Sequence, residues 1–138
     1  MLGRAFLASL VIALVGCGED TLLPEEVAGT YILQTINGDP LPWNIGSTAD
    51  KILDVMAGSA VLGLDSSCNI SVTIQTAQFD VFGELQNPTT RIESDICSYV
   101  LDGGGLTLNY LVGDPDTGSV SGSEITLLRE ENVYVFKK

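Results

Sequence analysis

The sequence predicts an all-β domain, a small antiparallel up-and-down barrel of eight to nine strands, placed after an N-terminal segment of different character. Three observations carry this. Apolar residues beyond position 26 recur with period two. Ile70, Val72 and Ile74 alternate with Ser71, Thr73 and Gln75, while Leu106, Leu108, Tyr110 and Val112 oppose Thr107 and Asn109. Such alternation gives one buried and one wet face, which favours antiparallel over buried parallel strands. Pro40, Pro42, Pro88 and Pro115 all fall between the alternating runs, as expected of a residue that cannot donate to a ladder. The runs are short and follow one another with Gly, Asn, Asp and Ser clusters between them, a meander that closes into a barrel or stacks as a sandwich.

The expected strands are 27–36, 51–57, 59–65, 69–80, 91–101, 105–112, 117–121, 123–130 and 132–138. Ile125 and Leu127 alternate with Glu124 and Thr126 in the eighth of them. Asp65-Ser66-Ser67, Gly103-Gly104-Gly105 and Ser121-Gly122-Ser123 supply tight connections. Parity shifts between Ile74 and Phe79, which predicts a bulge near Thr76–Gln78. Ser47-Thr-Ala-Asp50 ahead of Ile52, Leu53, Val55 and Met56 also fits a capped helical turn. Strand is preferred there because the segment is short and runs directly into Ala60–Leu64.

The first residues read differently. Arg4 gives a positive start, and Ala5–Val15 is an uncharged, mostly apolar run of eleven residues. A bilayer-spanning helix needs roughly 20 such residues, so residues 1–16 read as a cleaved export signal. Leu14-Val15-Gly16-Cys17 resembles the bacterial lipobox. In that family the cysteine thiol is acylated and the signal is cut before it, and two or three chains hold the protein on a bilayer. The resemblance implies lipidation at Cys17, with the lipid bilayer as a partner and a place in the cell envelope outside the cytoplasm. Gly18 is not the aspartate of inner-membrane retention, so an outer membrane is favoured if the cell has one. Residues 17–26 read as an acidic lipidated tether, and 27–138 as the domain.

Cys68 and Cys97 remain. In an exported domain a leftover pair most simply forms one disulfide, worth about 3 kcal/mol in the chain-entropy model; two buried free thiols are the alternative. The net charge is −12, with no histidine. An acidic surface repels phosphate backbones, so nucleic acid is not an expected partner. Without histidine there is no Ser-His-Asp triad, Cys-His pair or His-ligated zinc. No glycine-rich phosphate loop or nucleophile elbow is present either, and the chain is not read as an enzyme.

Gly29-Thr30-Tyr31, the hairpin text Leu106–Leu108 and Gly118–Leu127, and the closing Val133-Tyr-Val-Phe-Lys137-Lys138 resemble, in this order, the lipocalin-like domains of exported bacterial lipoproteins. Lipocalins open their first strand on glycine–any–tryptophan, with a basic residue near the last strand packed over the tryptophan. The resemblance puts Tyr31 in the aromatic place and Lys137 in the basic one.

An eight-stranded barrel encloses at most one small ligand. The ligand expected from this reading is apolar, lined by Tyr31, Trp43, Ile70, Val72, Ile74, Leu106, Leu108 and Tyr110. Trp43, the only tryptophan, belongs to a loop lying over the open end, where it touches ligand or plugs the core. The other reading is an envelope protein-protein interaction or inhibitor module with a filled interior. Asp114-Pro-Asp116-Thr-Gly118 is half of a calcium loop and also good turn chemistry; turn is the reading taken, with no metal and no cofactor expected. Glu93 and Asp95 share a strand face, read as solvated.

Overall fold

The computed structural model describes residues 21–138; the expected export signal and the expected lipidation site Cys17 lie outside them. Pro24–Val27 forms a single helical turn, α1. Ten strands follow: β1 (Gly29–Ile36), β2 (Asp39–Pro40), β3 (Trp43–Ser47), β4 (Lys51–Leu62), β5 (Ser67–Gln78), β6 (Thr89–Asp102), β7 (Gly105–Tyr110), β8 (Asp116–Ser121), β9 (Glu124–Arg129) and β10 (Asn132–Lys137). They make one antiparallel sheet in the order β2-β1-β10-β9-β8-β7-β6-β5-β4-β3, and β1 pairs with β4 to close it. The fold is a closed eight-stranded up-and-down barrel of lipocalin-like architecture with two short extra strands.

Closure is complete only over the lower half. β1 pairs with β4 from Gly29↔Leu62 to Ile32↔Ser59. Above that level both strands are bulged, β1 between Leu33 and Thr35 and β4 between Val55 and Ala57. The strands then part. β2 takes over beside β1 at Thr35, and β3 takes over beside β4 from Val55 upward. Gly58 makes the bend possible: a Cβ there would sit 2.9 Å from the Leu33 side chain and 3.1 Å from the Ser71 carbonyl oxygen.

The lower half is solid. Tyr31, Leu62, Ile70, Leu106, Leu108, Ile125, Leu127 and Phe136 are each at most 2% exposed and pack together. Each such burial contributes about 1.5–3 kcal/mol. The Cys68–Cys97 disulfide joins paired positions of β5 and β6 inside this core. α1 closes the bottom: Val27 is buried, Leu22 packs on the core, and the Tyr31 hydroxyl donates to the Val27 carbonyl at 2.6 Å.

Four expectations need correction. The separate strands 51–57 and 59–65 are one bent strand, β4, because Gly58 curves the chain without ending its pairing with β5. The bulge predicted at Thr76–Gln78 falls in β4 instead, and Thr76, Ala77 and Gln78 hold regular register. Residues 24–27 are neither free tether nor strand, since the first proline turns the chain into α1. Finally, Lys137 pairs with Glu124 on the outside, and it is Lys138 that lies 5.1 Å above the Tyr31 ring. Strand parity explains this: Phe136 points inward, so Lys137 points out, and the residue past the strand end folds under the barrel.

Candidate functional site

The upper half is built differently. On β6 the inward positions above Cys97 are Asp95, Glu93 and Arg91, so the core stripe turns charged. On β9 the inward stripe Ile125–Leu127 ends at Arg129, and on β8 it begins at Asp116. The apolar side of the mouth comes from β3, β4 and β5. Trp43 pairs with Val55, and with Leu53, Val72 and Ile74 it lines a cavity of about 300 Å³. Tyr134 of β10 and the charged residues Arg91, Glu93, Asp95, Arg129 and Glu130 form its remaining walls.

A second cavity of about 430 Å³ lies on the other side of Asp95 and Arg129. The connection from Val112 to Thr117 and the β9–β10 turn enclose it, and Tyr110 forms its inner wall. β7 and β8 pair only from Gly105↔Ser119 to Leu108↔Asp116, so this connection leaves the sheet near Tyr110.

Between the two cavities stands a polar network. The Tyr110 hydroxyl donates to Asp116 Oδ2 at 2.5 Å. Arg129 Nη2 donates to Asp95 Oδ2, and Arg129 Nε lies 3.5 Å from Asp116 Oδ2. The guanidinium carbon is 5.6 Å from the centre of the Tyr110 ring. Burial raises the Asp116 carboxyl above its ordinary value, against the lowering effects of Tyr110 and Arg129. Burial also raises the Tyr110 hydroxyl, and the bond it gives to Asp116 raises it further. Burial pulls Arg129 down, but the bond to Asp95 and the charges around it outweigh this, so it stays fully protonated. Among the described residues no buried side-chain nitrogen or oxygen lacks a partner.

The β9–β10 turn completes the rim. Glu130 and Glu131 adopt φ of +48° and +68°. Two consecutive left-handed residues make a hairpin turn that favours Asn-Gly, and side-chain-bearing residues are strained there.

The expected lining residues therefore divide. Trp43, Val72 and Ile74 line the smaller cavity and Tyr110 the larger. Tyr31, Ile70, Leu106 and Leu108 lie in the packed lower half, away from both. Trp43 is not on a loose lid: it opens β3. Glu93 and Asp95 do share a face, but it is the inner one. Each is about half exposed and each is ion-paired, Glu93 to Arg91 at 3.0 Å and Asp95 to Arg129. Asp114 stands on the rim while Asp116 turns inward to Tyr110 and Arg129; among the described residues no three acidic or cysteine side chains converge as a metal site. Leu53, Val55, Arg91, Arg129 and Tyr134 are among the site residues that sequence reasoning missed. Arg129 continues the inward parity of Ile125 and Leu127, and a cation at such a position was the available signal.

No protein-family model matches the chain, and no curated protein or solved structure does either.

Proposed function

We propose that this is a lipid-anchored extracytoplasmic lipoprotein whose barrel receives a small ligand with an apolar body at its open end. The observation that carries the reading is the 300 Å³ cavity lined on its apolar side by Trp43, Val55, Val72 and Ile74. That volume is at the lower limit for ligand pockets, which are mostly apolar with a few placed polar groups. The charged residues of β6 and β9 would hold whatever polar end the ligand has. The anchor rests on the Leu14–Cys17 text alone. Leu22, five residues beyond Cys17, packs at the closed end of the barrel. A protein held at Cys17 would therefore turn its closed end to the bilayer and its cavity away from it.

The sole tryptophan makes the reading testable. N-Phenyl-1-naphthylamine, a neutral apolar fluorophore, is expected to bind at one site and quench Trp43 by energy transfer. Val72→Asp is expected to abolish the effect while leaving the fold intact. Absence of saturable binding would refute the ligand reading. For the anchor, cells fed an alkyne fatty acid are expected to label the chain, with Cys17→Ser unlabelled; equal labelling of both would refute it.

The competing reading, an interaction module, draws on different observations: the lower half of the barrel is solid, and much of β6 has an open edge.

A further inference from the structure

β6 is the longest strand of the barrel, and half of it has a neighbour on one side only. β5 pairs with it from Thr89 to Ser98, whereas β7 pairs with it only from Cys97 to Asp102. Among the described residues, no strand pairs with the other edge of residues 89–96. All eight of these residues are exposed, and Ile92 and Ile96, on the outer face, are 70% and 77% exposed. An edge of this length leaves a row of backbone donors and acceptors available to another strand.

Its side chains restrict which strand. Antiparallel pairing of the segment with itself about a two-fold axis has few registers that keep the inner faces on one side. Centring on Arg91 or Glu93 sets that charge against its own copy. Centring on Ser94 sets Glu93 against Asp95 twice. Centring on Ile92 sets Arg91 opposite Glu93 and Glu93 opposite Arg91, with Ile92 against Ile92 and Thr90 against Ser94. Arg91 and Glu93 already pair along the strand at 3.0 Å. In this register two Arg and two Glu would form one closed square of alternating charge. Opposite charges directly across a strand pair stabilise it, and like charges do the reverse.

We propose that residues 89–96 form a self-association edge, pairing antiparallel with the same residues of a second copy about a two-fold axis at Ile92. The two sheets become continuous across it, an isologous contact. Eight residues a side is less than a stable dimer buries, so the pair is weak and forms at high local concentration.

Single cysteines placed in the full chain in cell membranes test the register. Under mild oxidation Ile92→Cys is expected to give a covalent dimer severalfold more abundant than Thr90→Cys, Ser94→Cys or the distant control Ser119→Cys. Cells carrying both Thr90→Cys and Ser94→Cys chains are expected to give the mixed dimer. Arg91→Glu or Glu93→Arg should each weaken the dimer about tenfold by concentration-dependent sedimentation, and the double exchange R91E/E93R should restore it. Both side chains are half exposed, so these variants are expected to fold. Equal cross-linking at all positions, no rescue by the double exchange, or capture of a different protein by Ile92→Cys in place of a second copy would overturn the proposal.

Discussion

The two halves of this barrel use the same strands for opposite ends. Below the bulges in β1 and β4 every inward position is apolar and the interior is full. Above them the inward positions of β6, β8 and β9 become Arg91, Glu93, Asp95, Asp116 and Arg129, and two cavities open. The lower half therefore supplies most of the stability, and the upper half carries the chemistry. Period-two alternation alone does not make a solid barrel. The neighbouring strand must continue too, and here β1 leaves β4 while β7 leaves β8.

The largest expected effects test the solid half. Phe136→Ala or Leu108→Ala should cost about 3–5 kcal/mol in urea unfolding, because neither site can collapse. Ile74→Ala, beside the cavity, should cost about 2 kcal/mol or less, since part of its surroundings is already open. Equal costs would abolish the distinction between the halves. Replacing both Cys68 and Cys97 by serine should cost about 3 kcal/mol, from a loop of 29 residues' separation.

The next effects concern the network between the cavities. Arg129→Met leaves Asp116 buried without its cation and should cost about 2–3 kcal/mol, less than a fully buried pair because Arg129 retains some exposure. Adding Asp116→Asn to it should return most of that loss. Asp116 also gives a pH signature. Its carboxyl is raised in the folded state, so the stability linked to its protonation is present at low pH and lost as pH rises through the folded value. The stability of the parent chain relative to Asp116→Asn should therefore grow as pH is lowered from 7 to 4. A difference that is flat, or that shrinks on acidification, would mean that Asp116 is not buried as described.

The smallest expected effect is a gain. Glu131→Gly relieves a left-handed residue at the rim and should stabilise the protein by about 1 kcal/mol. If the strained turn positions Glu130 and Glu131 at the mouth, the same change should weaken fluorophore binding.

Most of the fold was legible because burial follows parity. The runs Ile70–Ile74, Leu106–Tyr110 and Ile125–Leu127 have their apolar members inside, as alternation requires. The bulges were less legible, since a bulge is decided by the strand across the way. Gly58 bends β4 because Leu33 of β1 crosses over it, and nothing near Gly58 in the sequence says so. The site was half legible. Trp43, Val72 and Ile74 line the cavity, but Ile70, two positions along the same face as Val72, is solid core. The difference is height in the barrel, which depends on where β1 and β4 part. Sequence alone leaves Asp95 solvated because its partner, Arg129, is 34 residues away. The basic residue over Tyr31 was displaced by one position, to Lys138, because the strand parity at Phe136 sends Lys137 outward.

The division of the barrel into a filled and an open half can be tested directly with isoleucine methyl resonances. Ile74 lines the cavity, whereas Ile70 and Ile125 are buried in the packed lower half. On titration with N-phenyl-1-naphthylamine the Ile74 methyl should shift saturably, in step with quenching of Trp43, while Ile70 and Ile125 stay in place. Comparable shifts at Ile125, or none at Ile74, would contradict a barrel that is solid below and receptive above.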